Sequence, residues 1–313
     1  MKVLFLGTSD FSLTVLETLY NSKKHEIVGV VTKLDKPTGR GQKLISPAVK
    51  VFAEEHGIPC FQFKSISNEG FDVLSKLNAD IMVTAAFGQI LKQNIIDMTK
   101  FGVINVHASL LPKYRGSSPI QWAVIKGEKK TGVTIMQTDI GVDTGDMLLK
   151  KEVDILPEET AGELMDRLSL VGAEALIEAL GKLEKGELKR EKQDSNNASW
   201  YPMLKKEDGK IDFSKSAEEI KNQCRGLNPW PICYVMLNEV DKLKVYKAEP
   251  YDMDIAPNTK NGQVLIADGK KGLVVKCNDG AVLLEKIQAP NSKAMNSNEY
   301  LRGKTIPLDK VFE

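Results

Sequence analysis

Histidine and cysteine are scarce in this chain, at 3 and 4 of 313 residues. Cys60, Cys224, Cys233 and Cys277 form no C-x-x-C pair and have no histidine nearby, which excludes a zinc ribbon and a disulfide scaffold. Reduced structural thiols and no metal are expected. Long apolar runs are also missing. The first one, KVLFL, stops at Gly7, too short for a membrane span or the core of a signal peptide, so a cytoplasmic protein without a membrane partner is expected. Net charge is nearly absent: 43 Lys and Arg against 42 Asp and Glu leave +1, so any polyanion must be met by a local patch. GTSDFS follows the first apolar run where a dinucleotide site would need G-x-G-x-x-G, and no acidic residue closes the second run, which excludes a nicotinamide dehydrogenase. Ser109 stands near His107 but on no G-x-S-x-G elbow, and Cys60 has no histidine partner, so covalent catalysis is unsupported.

What the chain does have is ordinary globular composition, 42% hydrophobic and 27% charged, and length enough for two cores. Short apolar runs alternate with helix-spaced segments: KVLFL with Asp10–Tyr20, EIVGVVT with SPAVKVFAEEHG, ADIMVTAA with QILKQNIIDM, and VINVH with SPIQWAVIKG. VTIMQT and MLLKKEVDI add strands, and Thr160–Leu180 reads as a helix. The pattern predicts a doubly wound, mostly parallel, Rossmann-like α/β domain over 1–188. Residues 182–206 are polar, with seven basic and four acidic side chains and no sustained periodicity, and 189–206 is expected to be the connector. From 207 to 313 one helix pattern, SAEEIKNQCRGL, precedes five short strands (ICYVML, KLKVYKAE, GQVLIAD, GLVVKC, AVLLEKIQA), which predicts a small OB-like β-barrel.

His25 (KKHE) and His56 (EEHG) sit in charged settings and are expected to be solvated. His107 ends an apolar strand. Alternate side chains of a strand share a face, so Asn105 and His107 emerge together, opposite Ile104 and Val106. In DIGVDTGDM, Gly141 and Gly145 flank Asp143 and allow a tight path that presents a carboxylate at a strand end. Ligands of open α/β sheets gather at the carboxyl ends of the strands, so the three side chains can meet there. An amide can hold an oxyanion, an imidazole can carry a proton, and a carboxylate can orient the imidazole. The same residues also suit a buried, satisfied polar pair and a turn-forming aspartate, and spacing alone leaves both open.

KLDKPTGRGQKLISP carries Lys33, Lys36, Arg40 and Lys43 against Asp35 alone, in a stretch loosened by Gly39 and Gly41. Such a loop can grip phosphates, or be a solvated surface loop; no aromatic interleaves the charges, so base stacking is not signalled.

Two motifs carry a resemblance. NVHASLLPKYRGSSPIQWAVIKGEKKTGVTIMQTDIGVDTGDML resembles the catalytic segment of folate-linked formyltransferases, and RGLNPWPICYV, with Arg225, Gly226, Asn228, Pro229 and Trp230, resembles the C-terminal signature of the methionyl-tRNA formyltransferases. The first motif is shared with enzymes acting on sugar nucleotides and ribonucleotides; the second separates the tRNA enzymes from them. The resemblance implies 10-formyltetrahydrofolate as formyl donor and initiator methionyl-tRNA as acceptor, with a small amine as the alternative. It places the catalytic set on Asn105, His107 and Asp143. It places folate contacts on Ser109, Leu110, Leu111 and Pro112 and on Phe87, Gly88 and Gln89, Phe87 standing where the family commonly has a tyrosine-like residue. Arg40, Lys36 and Lys43 are expected to meet the tRNA acceptor end. From 207 to 313 there are 16 basic and 16 acidic residues, so tRNA there requires a one-sided patch, for which Lys210, Lys244 and Lys247 are candidates. No heptad or long exposed edge is evident, and a monomer is expected.

Overall fold

The computed structural model describes residues 1–38 and 43–312, with the backbone alone at Thr38 and Lys43. Two compact units divide the chain: residues 1–119, 130–154 and 165–202 form the first, and 120–129, 155–164 and 203–313 the second.

The first unit is built on seven strands in the order Met147–Asp154, Lys130–Gln137, Val103–His107, Ile81–Ala85, Lys2–Gly7, Glu26–Thr32, Cys60–Gln62. The last five of that order pair in parallel, and Lys130–Gln137 runs antiparallel to both its neighbours. The central strands are buried on both faces, as a sheet covered by helices requires: Val3 to Leu6 and Ile81 to Val83 have no exposed surface. From Lys2–Gly7 the chain winds outward through Glu26–Thr32 to Cys60–Gln62, then returns to place Ile81–Ala85 on the other side of the first strand. The order therefore reverses between Lys2–Gly7 and Ile81–Ala85, and the crevice above their carboxyl ends is where such sheets take ligands.

Most expected elements are present. Asp10–Asn21 is a helix with Phe11, Val15, Leu16 and Leu19 inward. Helix Ala161–Glu184 starts at a capping box, Thr160 Oγ1 accepting from Glu163 N while Glu163 Oε2 accepts from Thr160 N. Gly172 on this helix lets it approach the strand that carries Asn105: a Cβ there would stand 2.8 Å from Val106 Cγ1. QILKQNIIDM shortens to one turn, Gln93–Ile96, because Ile95 and Ile96 turn into the core with Leu91 instead of extending a stripe. The turns Ile66–Glu69 and Phe71–Leu74 are too short to show a period. Residues 189–201 are ordered on the first unit, where Trp200–Tyr201 pairs with Arg115–Gly116.

In the second unit all five expected strands form one antiparallel sheet, in the order Cys233–Met236, Lys242–Tyr251, Gly280–Gln288, Gly272–Cys277, Val264–Asp268. No ladder joins its two end strands among the described residues. Alternation drives it: along Lys242–Tyr251, Leu243, Val245 and Ala248 face the core and Lys242, Lys244 and Lys247 face outward. Helix Ala217–Gly226, capped by Ser216 and Glu219, lays Ile220 and Cys224 in the same core.

Candidate active site

Asn105 and His107 share one face of the Val103–His107 strand, and neighbouring strands fix both. Asn105 lies opposite Thr84 in the parallel pair, and Thr84 Oγ1 donates to Asn105 Oδ1 at 2.9 Å. The amide oxygen is therefore occupied and the half-buried NH2 is left to donate outward. His107 is 5% exposed, and its Nε2 lies 3.0 Å from the carbonyl of Tyr114. A carbonyl only accepts, so Nε2 carries a proton and Nδ1 is turned to the opposite side. There Asp143 Oδ1 stands 3.6 Å away, too far for a hydrogen bond in this geometry. The sequence separation of Asp143 from the strand is closed as expected.

The carboxylate is held by its backbone. Asp143 takes φ +54°, and its Oδ2 accepts from Gly116 N at 2.8 Å. Gly145 is required beside it because a Cβ would collide with the carbonyl of Gln137. Gln193 Nε2 donates to the carbonyls of Asp143 and Gly145 at 2.8 and 2.7 Å, while its Oε1 accepts from Arg115 Nε and Nη2 at 3.0 and 2.8 Å. Gln193 and Arg115 were not expected to matter; Gln193 lies in the polar stretch read as a connector. Thr134 is a third unexpected support: its hydroxyl donates to Ser109 O at 2.7 Å and accepts from Leu111 N at 3.1 Å, clamping the loop after the Val103–His107 strand.

The expected folate contacts divide. Ser109 is fully buried and its hydroxyl donates to Lys113 O at 2.8 Å. Leu111 packs with Met136 and Met147, and Phe87 lies in the core with Leu6 and Leu91. Gln89 spends its amide on the fold, Nε2 donating to Phe63 O and Oε1 accepting from Ile66 N. Gly88, Leu110 and Pro112 keep accessible surface, so this segment and loop offer a ligand mainly backbone and apolar edge. Ile90, after the first segment, and Ile140 and Val142, after the Lys130–Gln137 strand, are 79%, 72% and 53% exposed.

His25 corrects an expectation. Its side chain is 1% exposed, 3.6 Å from Glu184, and Nε2 has no partner, so it is buried rather than solvated. Burial pushes its pKa down, against the pull of Glu184. His56 is exposed and stacks on Phe52. All four cysteines are free, and burial first, then Glu54, pushes the Cys60 thiol up to about 11, which removes it as a nucleophile. Arg40 lies outside the described residues, as does the side chain of Lys43. No group of three metal-ligating side chains gathers, and no helix is long and apolar enough to cross a membrane, among the described residues.

In the second unit, Arg225 of the RGLNPWP segment is 8% exposed and turns inward, donating to Asn222 Oδ1 and to the carbonyls of Leu156 and Glu159. That arginine is a clasp of the fold. Lys247 lies among Glu285, Glu249 and Glu158 at 3.0, 3.4 and 3.9 Å. Lys210 and Lys244 are exposed with no carboxylate partner among the described residues; Lys244, with Lys242 and Gln288, lines a surface cleft of about 120 Å³.

An amide with a free NH2, an imidazole with one fixed proton and a facing carboxylate thus gather around the Val103–His107 strand. Residues 1–180 match the formyl transferase family, and residues 203–305 match the formyl transferase C-terminal domain. Across the whole of both chains the sequence is 47% identical to the methionyl-tRNA formyltransferase of Clostridioides difficile (strain 630), and it is 44% identical to that of Geobacter metallireducens over 97% of this chain and 96% of the relative. The chain belongs to the formyl transferases and, among them, to the methionyl-tRNA formyltransferase family. The fold is shared with WlaRD, a sugar 3N-formyltransferase crystallised with dTDP and 5-N-formyl-THF (TM-score 0.67, 21% identity, 94% of this chain and 99% of that one). It is shared also with HypX from Aquifex aeolicus in complex with tetrahydrofolic acid (TM-score 0.62, 16% identity, 96% of this chain and 47% of that one).

Proposed function

We propose that this protein transfers the formyl group of 10-formyltetrahydrofolate to the α-amine of methionine esterified to initiator tRNA. The observation that carries the chemistry is the meeting of Asn105, His107 and Asp143 at one strand end, in a chain whose full-length relatives bear that enzyme name.

The amine attacks the formyl carbon directly. Asn105, its oxygen held by Thr84, donates from its NH2 to the tetrahedral oxyanion, and Thr84 keeps that amide from flipping. His107 adds positive charge beside the same oxygen. Its Nε2 proton is tied to Tyr114 O, so the proton that makes the ring a cation resides on Nδ1, facing Asp143. Asp143 stabilises that charge and accepts the proton shed by the attacking amine, through water, for return to the departing folate nitrogen. The bond to that nitrogen breaks as the tetrahedral species collapses to the new amide, with no covalent bond to the enzyme at any stage.

The folate lies against the backbone of Phe87, Gly88 and Gln89 and of Ser109 to Pro112. The exposed Ile90, Ile140 and Val142 give its flat rings apolar surface to cover. The tRNA is met by the basic stretch around Lys36, Arg40 and Lys43 and by lysines of the second unit. Lys210 and Lys244 are better placed for phosphate than Lys247, whose ammonium already has three carboxylates.

The test offers 10-formyltetrahydrofolate with methionyl initiator tRNA, free methionine, glycinamide ribonucleotide and an amino-sugar nucleotide in parallel. Formylation of the tRNA alone is expected. Faster formylation of any small amine would replace this reading with the small-acceptor one.

A further inference from the structure

Lys33 follows the Glu26–Thr32 strand and stands beside the crevice where the strand order reverses. Its main chain is fixed on both sides: its N–H donates to Thr8 Oγ1 at 3.4 Å and its carbonyl accepts from Gln62 Nε2 at 2.6 Å. Thr8 Oγ1 in turn donates to Phe87 O at 3.2 Å, tying the lip after the first strand to the lip after Ile81–Ala85. The Lys33 side chain reaches across to the second lip. Its Nζ lies against Gly88, so close that any Cβ at that residue, which has φ +71°, would collide with the ammonium.

Among the described residues no carboxylate pairs with the ammonium. Asp35, two residues away, is taken by Lys50 Nζ at 2.9 Å and by Gln62 Nε2 at 2.8 Å, with Ser46 also donating to it. Burial and then the nearby Lys36 push the Lys33 amine down from its ordinary value. A half-buried, unpaired ammonium beside a second cation is unfavourable until an anion arrives.

We infer that Lys33, seated on Gly88, binds a backbone phosphate in the single-stranded 3′ end of the acceptor tRNA, setting how far the aminoacyl end enters the crevice. The occupant follows from the neighbourhood: Lys33 opens the same basic stretch that carries Lys36, Arg40 and Lys43, and a phosphodiester brings one charge that Asp35 cannot supply. The inference rests on methionyl-tRNA as acceptor.

Steady-state formylation by wild type, Lys33→Gln and Lys33→Arg, each titrated with methionyl-tRNA and with 10-formyltetrahydrofolate over a range of KCl, tests it. For Lys33→Gln the KM for tRNA should rise about tenfold, with kcat and the folate KM within twofold. The slope of log kcat/KM for tRNA against log salt should become shallower by about 0.7, the value for one single-strand phosphate contact. Lys33→Arg should keep the wild-type slope. A packing role would leave that slope unmoved, so an unchanged tRNA KM and slope in Lys33→Gln would overturn the inference. A rise confined to the folate KM would overturn it too, placing the amine on the folate carboxylates. If wild type itself formylates no tRNA, the acceptor reading falls first and takes this inference with it.

Discussion

Replacing Asp143 by asparagine separates charge from shape at the proposed centre. The asparagine oxygen can still accept from Gly116 N, as Asp143 Oδ2 does at 2.8 Å, so the loop keeps its anchor. Its NH2 then faces His107 Nδ1. Because Nε2 already donates to Tyr114 O, Nδ1 must accept from the new amide, and the ring is held in its neutral form. Two unit charges at the observed 3.6 Å interact by roughly 4.6 kcal/mol at an effective dielectric constant of about 20. Desolvation takes part of that, leaving about 2 to 4 kcal/mol, or roughly 30- to 900-fold in rate. Single-turnover formylation with both substrates saturating should show this loss, with tRNA and folate affinities within about twofold and a melting temperature within about 2 °C of wild type. Formylation by Asp143→Asn within threefold of wild type would refute the assignment of charge stabilisation to this pair.

Asn105→Ala should lower kcat by about 10² to 10³, the cost of one oxyanion donor, while tRNA binding measured by filter retention stays within twofold; a kcat near wild type would remove Asn105 from the mechanism. Gly145→Ala drives a methyl into Gln137 O and should reduce stability by about 1–3 kcal/mol and activity with it, read by urea denaturation and by turnover; an unchanged denaturation midpoint would show that the loop relaxes freely. His25 predicts a pH effect of definite sign. Burial holds its folded pKa below the ordinary histidine value of about 6.5, so under that pH the unfolded chain binds a proton that the folded one resists, and stability is full above about pH 6.5 and falls as pH drops from there. Urea midpoints at pH 7.5, 6.5 and 5.5 should fall toward acid in wild type and flatten in His25→Gln; equal slopes would assign the acid sensitivity elsewhere.

The centre was legible where local rules operate. Strand alternation put Asn105 and His107 on one face, and paired glycines marked the bend at Asp143. The supports were not legible, because their partners are backbone atoms distant in sequence: Gln193 holds the carbonyls of Asp143 and Gly145, and Thr134 holds Ser109 and Leu111. No side-chain pattern records a hydrogen bond to a carbonyl fifty residues away. His25 was misread for a related reason, since the charged neighbours in KKHE describe the strand's approach and not the helix end at Glu184 that covers the ring. Arg225 shows the converse. A basic residue inside a recognisable segment invites a nucleic-acid reading, yet its guanidinium is used on main-chain oxygens of Leu156 and Glu159.

The ordered stretch before the second unit has a consequence for protein engineering. The two family matches leave residues 181–202 unclaimed, and a builder of chimeras would treat that interval as free tether. Yet Ser199 takes the amide of Tyr114 on its hydroxyl and that of Arg115 on its carbonyl, Tyr201 packs on Tyr114, and Gln193 secures the carboxylate loop. A swap that joins the catalytic half of one such enzyme to the partner half of another must cut after Pro202. An exchange at residue 181 would import a foreign buckle and leave a correctly folded sheet with its carboxylate out of place.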